Sequence, residues 1–224
     1  MNHAKRLYYN AFVTSIRVYQ RLFLDLRVWG REHIPPGPKI YVQNHITSTD
    51  PYWVLPLLPE PVHVIIGPGY QSKIMAYLLD YLEQINATPR HRKTVVDHAV
   101  RYLRRGEPVY TAPEGDLQET FNLGRFYPGV ARIYRRCQVP IIPIALLAPR
   151  SAMKEYPLLK MVVEGRVYRC VMVLRGPFCV NIGKPFRPEL CRSVDETEDN
   201  QRILNELKER MRLLIEDMRK KVSG

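Results

Sequence analysis

The sequence predicts a single α/β layered domain with a mixed, largely central β-sheet flanked by helices. Three observations carry this. Short apolar runs rich in Val, Ile and Tyr alternate along the chain with segments whose apolar residues recur every three or four positions. At 224 residues, with 46% hydrophobic and 25% charged residues, the chain can bury one full core and is short for two. Near the end, two strand-like runs are separated only by Arg175-Gly176-Pro177, which adds antiparallel pairing to the strand–helix alternation.

Residues 5–29 read as a helix. Tyr8, Phe12, Ser15, Ile16, Tyr19, Leu22, Phe23 and Leu26 fall at helical spacing, with Lys5, Arg6, Arg17, Arg21 and Arg27 around that stripe. Such a helix suits a membrane interface, with rings at headgroup level and guanidinium groups on lipid phosphates; it suits equally an amphipathic helix packed on its own domain. Pro35, Pro36, Gly37 and Pro38 break it. Lys39–Gln43 is then a first core strand, followed by a polar loop to Asp50 and a helix from Pro51 that Asp50 is placed to cap.

Further on, Val62–Ile66 is a strand, 70–82 a helix and Gln84–Ala87 a short strand. Lys93–Arg105 is a helix with cations at its C-terminal end, stopped by Gly106. Val109–Ala112 is a strand into the loop Pro113–Asp116, and Gly129–Arg136 is helical. Pro140–Leu147 is a buried strand whose prolines place it at a strand start or an irregular edge. Val167–Leu174 and Phe178–Ile182 form the late antiparallel pair. A charged helix near 195–222 carries Leu204, Leu207, Met211, Leu214 and Met218, and Ser193 with Glu196 offers it a capping box. The chain thus divides into an N-terminal amphipathic segment (1–34), a central domain (35–192) and a C-terminal helix packed on it (193–224).

The formal net charge of +12 points to an anionic partner: nucleic acid, an acidic membrane surface or a phosphate-rich substrate. Fourteen tyrosines interleaved with Arg would suit base stacking, but no helix-turn-helix, zinc-finger or RNP-type motif accompanies them, so nucleic acid is not the expected partner. The four cysteines form no C-x-x-C pair and no Cys/His cluster has zinc spacing, so no metal is expected and free thiols in a reducing compartment are. No run of about 18 uncharged apolar residues occurs, so no ordinary transmembrane span is expected. Arg interrupts the early apolar segment, unlike a signal peptide.

Four short segments have the residue types for chemistry. In Gln43-Asn44-His45-Ile46-Thr47-Ser48-Thr49-Asp50, at the C-terminal end of a predicted strand, His45 is suited to proton transfer near neutral pH. Asp50 either fixes its tautomer across the loop or simply caps the next helix. Ala112-Pro113-Glu114-Gly115-Asp116 follows another strand and reads as an anion-facing loop or an ordinary turn. Val139-Pro140-Ile141-Ile142-Pro143 opens a buried strand. Arg90, His91, Arg92 and Lys93 suit a phosphate or a solvated helix start.

In that order, these segments resemble the motifs of the glycerolipid (lysophosphatidic acid and glycerol-3-phosphate) acyltransferase superfamily over roughly residues 35–190. Asn44, His45 and Asp50 match Asn-His-x-Ser-x-x-Asp, with Thr47 in the Ser position. Ile85–Arg90 matches the second motif, which ends in Arg after a short strand. Pro113, Glu114 and Gly115 match Phe-Pro-Glu-Gly-Thr-Arg, Val139–Pro143 matches Val-Pro-Ile-x-Pro, and Ile182-Gly183-Lys184-Pro185 matches the late Ile-Gly-x-Pro. Ala112 replaces the Phe, and Asp116 and Leu117 replace Thr-Arg, so the phosphate-binding Arg of the third motif is missing.

The resemblance implies a glycerol-3-phosphate acyltransferase-like fold. It implies an enzyme that moves a fatty acyl group from acyl-CoA or an acyl carrier protein thioester to a lipid hydroxyl, foremost that of 1-acyl-sn-glycerol-3-phosphate, with no cofactor beyond the donor. His45 would be the general base and Asp50 its orienting partner. Asn44, Thr47, Arg90, Glu114 and Gly115 would bind substrate, with Arg125 in place of the missing Arg and Lys73 as a further basic contributor. The setting implied is the cytoplasmic face of a membrane, with peripheral or monotopic attachment to an anionic surface. The rivals are the same chemistry on another acceptor, and a non-enzymatic basic protein that binds lipid or nucleic acid.

Overall fold

The strand β2 (Ile40–Gln43) is buried at every residue, which is why it reads as a continuous run rather than an alternation. In the computed structural model, which describes residues 1–118, 122–163, 166–191 and 195–223, β2 lies at the centre of a seven-stranded sheet. It pairs in parallel with β5 (Val109–Thr111) on one side and β6 (Ile141–Leu147) on the other. Beyond β5 come β3 (His63–Ile66) and β4 (Ile85–Asn86), both parallel to it. Beyond β6 lies β11 (Gly176–Ile182), antiparallel to β6, and β1 (Leu24–Trp29), parallel to β11, closes that edge. The sheet is therefore mixed, as expected. Its five co-directional strands deliver the loops after β2, β3, β4, β5 and β6 to one edge, where sites form in such sheets.

Alternate residues of the strands pack against helices on both faces. On one, Ile40, Val42, Val109 and Ile141 meet α4 (Val95–Arg104), α5 (Gly129–Cys137) and α6 (Glu196–Ser223), the last through Ile203, Leu204, Leu207 and Met211. On the other, Tyr41, Tyr110, Ile142 and Ile144 meet Trp53 and Val54 of α2 (Asp50–Val54) and, more peripherally, Ile16 and Tyr19 of α1 (His3–Phe23). α3 (Lys73–Tyr81) lies outside both clusters and has no buried residue.

The expected helix over 5–29 is in fact a helix to Phe23 and then a strand. Leu24, Leu26 and Val28 pack on the core while Asp25 and Arg27 are exposed, a period of two that ends the helical stripe. The boundary drawn after residue 34 thus falls within the sheet-bearing unit. α1 itself is tied down: the Gln20 side chain donates to the Trp53 carbonyl (2.8 Å), Arg17 to that of Pro56 (2.9 Å) and Tyr19 to that of Leu174 (2.8 Å).

Two further expectations are corrected. The run 167–174 does not pair with 178–182, because both edges of β11 are taken by β6 and β1. Instead residues 149–163 and 166–175 lie in an excursion from the sheet. In it β7 (Lys154–Glu155) pairs with β10 (Val171–Met172), and β8 (Met161–Val163) pairs with β9 (Arg166–Tyr168). Nor is β6 an edge strand. Between the pairs Ile144↔Ile182 and Ile141↔Phe186 the partner chain carries one extra residue, a bulge. Pro143 sits opposite it and only its carbonyl is used, accepting from the Gly183 N–H at 2.8 Å. A Cβ on Gly183 would lie 2.7 Å from Leu214 and 2.8 Å from the Pro143 ring, so this close passage requires glycine. At the start of α6, Asp195 accepts from the N–H groups of Thr197 and Glu198; the expected cap Ser193 lies outside the described residues.

Candidate active site

The loop after β2 is built around one carboxylate. Asp50 is wholly buried, and its Oδ2 accepts from the N–H groups of Ile46 (2.7 Å) and Thr47 (2.9 Å). Its Oδ1 accepts from the Thr47 N–H (3.0 Å) and hydroxyl (2.6 Å). Asp50 therefore turns back into the loop instead of capping α2, although it is that helix's first residue. With its lone pairs facing donors on every side, Asp50 Oδ2 lies 3.0 Å from His45 Nδ1. A carboxylate there assigns the proton to Nδ1 and leaves a lone pair on Nε2. The His45 side chain is 24% exposed against 0% for Asp50, so one partner is sealed and the other meets the outside.

Three segments fix the loop that bears His45. Asn44, at the strand end, takes the Leu146 N–H on Oδ1 (2.7 Å) and gives Nδ2 to the Leu146 carbonyl (3.1 Å), which extends the β2–β6 ladder by a side chain. Glu114 accepts the His45 N–H on Oε2 and the Gly124 N–H on Oε1, each at 2.6 Å. The Gln118 N–H donates to the His45 carbonyl at 2.8 Å. From the excursion, the Val171 carbonyl accepts the Ser48 N–H (2.7 Å), the Val173 N–H donates to Thr49 Oγ1 (3.2 Å), and the Trp53 indole donates to the Val173 carbonyl (2.9 Å). Burial pushes the Glu114 carboxyl above its ordinary range, against the pull of its two backbone donors.

These bonds engage several of the residues expected to contact substrate. Asn44, Thr47 and Glu114 are buried, and their bonds to β6 and within the loop hold His45 and Asp50 in place. Gly115 adopts a left-handed φ of 68°, and a Cβ there would press on the Tyr127 ring at 3.3 Å. Arg125 lies over that same ring, its guanidinium carbon 5.8 Å from the centroid. The exposed Arg125 is thus held next to Gly124, which Glu114 binds, and against the loop that lacks the motif's Arg. Lys73 begins α3, two strands along the sheet from β2, and the exposed Arg90 follows β4, three strands along. At the usual strand spacing, β3 and β4 themselves lie about 10 and 14 Å from β2 along the sheet.

The clamp by residues 171–173 was not foreseeable from sequence, since backbone groups more than a hundred positions away carry no local signal. Among the described residues, His63, Glu83 and Glu107 bring ligand atoms close enough for a metal. They lie toward the opposite edge of the sheet, and Lys5 Nζ already meets Glu83 at 2.6 Å. Burial holds the His63 imidazole below its ordinary range, opposed by its bonds to the Glu83 carbonyl and to Glu107.

A family model described as Acyltransferase matches residues 25–147. The chain is 24% identical over 144 residues to a chloroplastic 1-acyl-sn-glycerol-3-phosphate acyltransferase, LPAT1, of Arabidopsis thaliana, covering 62% of this chain and 40% of that one. It is 26% identical over 148 residues to BAT2, the chloroplastic protein of the same description from Brassica napus, covering 62% and 41%. The chain thus spans less than half the length of these relatives. The crystal structure of the 1-acyl-sn-glycerophosphate acyltransferase PlsC from Thermotoga maritima superposes with a TM-score of 0.65 at 20% identity, over 94% of this chain and 82% of that one, a likeness of fold.

Proposed function

The chain belongs to the acyltransferase family, and from that premise we propose that it transfers a fatty acyl group from a thioester to a lipid hydroxyl, with His45 as general base. The observation that carries this is the sealed Asp50 carboxylate on Nδ1 of a His45 side chain that is itself part-exposed. In the proposed reaction Nε2 takes the proton of the acceptor hydroxyl as its oxygen attacks the thioester carbonyl. The C–S bond then breaks, and the departing thiolate takes the proton back from the imidazolium. General-base catalysis of this kind contributes about 10²–10⁴-fold. Thr47 takes no part as a nucleophile, because its hydroxyl donates to Asp50.

For the acceptor we favour 1-acyl-sn-glycerol-3-phosphate, the substrate in the printed names of the plant relatives. The donor is acyl-CoA or an acyl carrier protein thioester. Arg90 and Arg125 would meet the phosphate, with Lys73 as a further cation. The setting is the cytoplasmic face of a membrane, with peripheral or monotopic attachment to an anionic surface; no described helix is long and apolar enough to cross one. Asp116 and Leu117, in the places of Thr and Arg, support a second reading in which the acceptor is another lipid of the same chemistry.

Mass spectrometry of lipids after incubation with candidate acceptors and either donor tests both readings. We expect one acyl chain to be added to lysophosphatidic acid by the intact chain and none by folded His45→Ala. Near-normal turnover by that variant would overturn the mechanism, and addition only to a different lipid would select the second reading.

A further inference from the structure

α3 is the one longer helix that neither core cluster uses. Ile74, Tyr77 and Tyr81 recur along it at intervals of three and four, and Ile74 and Tyr77 are 77% and 71% exposed. At one end of this face Tyr81 meets Tyr8 of α1 edge to face, with ring centroids 5.9 Å apart, so the apolar surface continues onto the exposed Leu7 and Tyr8. At the other end, the 3-10 turn Pro68–Gln71 that leads into α3 packs against β8 of the excursion. That hairpin carries Val162 opposite Val167, both more than half exposed, and Leu158 just before it is 99% exposed. One apolar surface therefore runs from the start of α1 across α3 to the excursion. A patch assembled from three segments is unlike scattered surface apolar residues and marks an interaction site.

Its rim identifies the occupant. Lys73 stands at the start of α3, and the exposed Lys154 and Lys160 flank Leu158 in the excursion. Two copies of this chain meeting face to face would bring these ammonium groups together, which disfavours self-association. An anionic leaflet does the reverse: apolar side chains enter the acyl boundary while lysines meet lipid phosphates. The same excursion supplies the Val171 and Val173 bonds that hold Ser48, Thr49 and Trp53 beside His45.

We propose that α3 and residues 157–163 and 166–168, rather than α1 alone, form the surface by which this protein docks on anionic bilayers, beside the loop that bears His45. The proposal rests on the reading of the chain as an enzyme of lipid substrates, and its test separates the two.

The full chain is sedimented with vesicles of phosphatidylglycerol and phosphatidylcholine, and acyl transfer is assayed in parallel on a short-chain lysophospholipid below its micellar concentration. Leu158→Glu and the pair Ile74→Glu/Tyr77→Glu are expected to weaken vesicle binding at least tenfold while leaving transfer to the dissolved acceptor within twofold. Leu158 is almost fully exposed, so its substitution does not test folding. Binding within twofold of the unmodified chain in both variants would overturn the docking surface and leave the enzyme reading standing. So would equal binding to pure phosphatidylcholine, or a dimer dissolved by these variants while vesicle binding persists. Loss of binding in both variants of a chain that transfers no acyl group to any acceptor would uphold the docking surface and remove the enzyme reading.

Discussion

Replacing Asp50 by Asn separates the charge of the site from its shape. An amide with its oxygen in the Oδ2 place keeps the bonds from His45 Nδ1, Ile46 and Thr47. Its NH₂ group, in the Oδ1 place, gives up the bond from the Thr47 N–H, which keeps its acceptor at Oδ2, and meets the Thr47 hydroxyl, which can accept it by turning its own proton to Thr49 Oγ1, 3.0 Å away. Little of the network is lost, and we expect a stability cost of about 1 kcal/mol. The charge is another matter. As His45 takes a proton in the transition state, an imidazolium forms against a buried carboxylate. For charge centres about 4 Å apart at an effective dielectric of about 20, the attraction is about 4 kcal/mol, or roughly a thousandfold in rate. Thiol release from the acyl donor, followed with a chromogenic thiol reagent, measures turnover, and thermal unfolding measures stability. Asp50→Asn should therefore be folded and about 10³-fold slower. A folded variant within tenfold of the unmodified chain would refute the assignment of Asp50 as the stabiliser of the imidazolium.

Other perturbations follow from the same contacts. Glu114→Gln sets an amide donor against either the His45 or the Gly124 N–H; it should cost about 1–3 kcal/mol in denaturant unfolding and lower turnover, whereas full activity would return Glu114 to a passive turn. Arg125→Ala should raise KM for a phosphate-bearing acceptor about tenfold with kcat little changed, and an unchanged KM would remove Arg125 from the acceptor site. Asp199 accepts from the Cys191 N–H and from Arg202 and Arg135, which hold its carboxyl below the ordinary value of 3.8 although burial opposes them. Since its folded-state pKa is depressed, its contribution to stability is full above that ordinary value and is lost as the pH falls through the depressed one. Asp199→Asn should flatten the acid limb of a stability–pH curve, and an unaltered limb would count against the pairing.

Much of the fold is legible because the core strands are short, apolar and bounded by turn residues. β2, β3, β5 and β6 stand where Val62–Ile66 and its counterparts predict them. β1 is hidden because Leu24 and Leu26 also extend the helical spacing of α1; only the exposure of Asp25 and Arg27 reveals the change of period. β6 misleads in another way: proline argues for an edge until the bulge opposite Pro143 removes the need for its N–H. At the site, residue types locate His45 and Asp50, but the division between residues that touch substrate and residues that hold the loop depends on which way each side chain turns. Glu114 reads as a substrate ligand by its motif, yet both its oxygens are committed to backbone donors from two other segments. No pattern within a loop encodes partners 10 or 69 positions away.

The clamp on the loop also bears on how the molecule reaches its active form. The bonds that fix His45, Ser48 and Thr49 join segments 69 to 124 residues apart along the chain. The pairings of β2 with β5 and β6 span similar separations, but the excursion docks on a sheet that must already be in place, so its bonds to the loop form last. A chain whose sheet has formed around β2, β5 and β6 but whose excursion has not yet docked would have its core without an ordered His45–Asp50 pair. During refolding, recovery of turnover should then lag behind recovery of helix signal, and the interval between them would time the docking of residues 171–173.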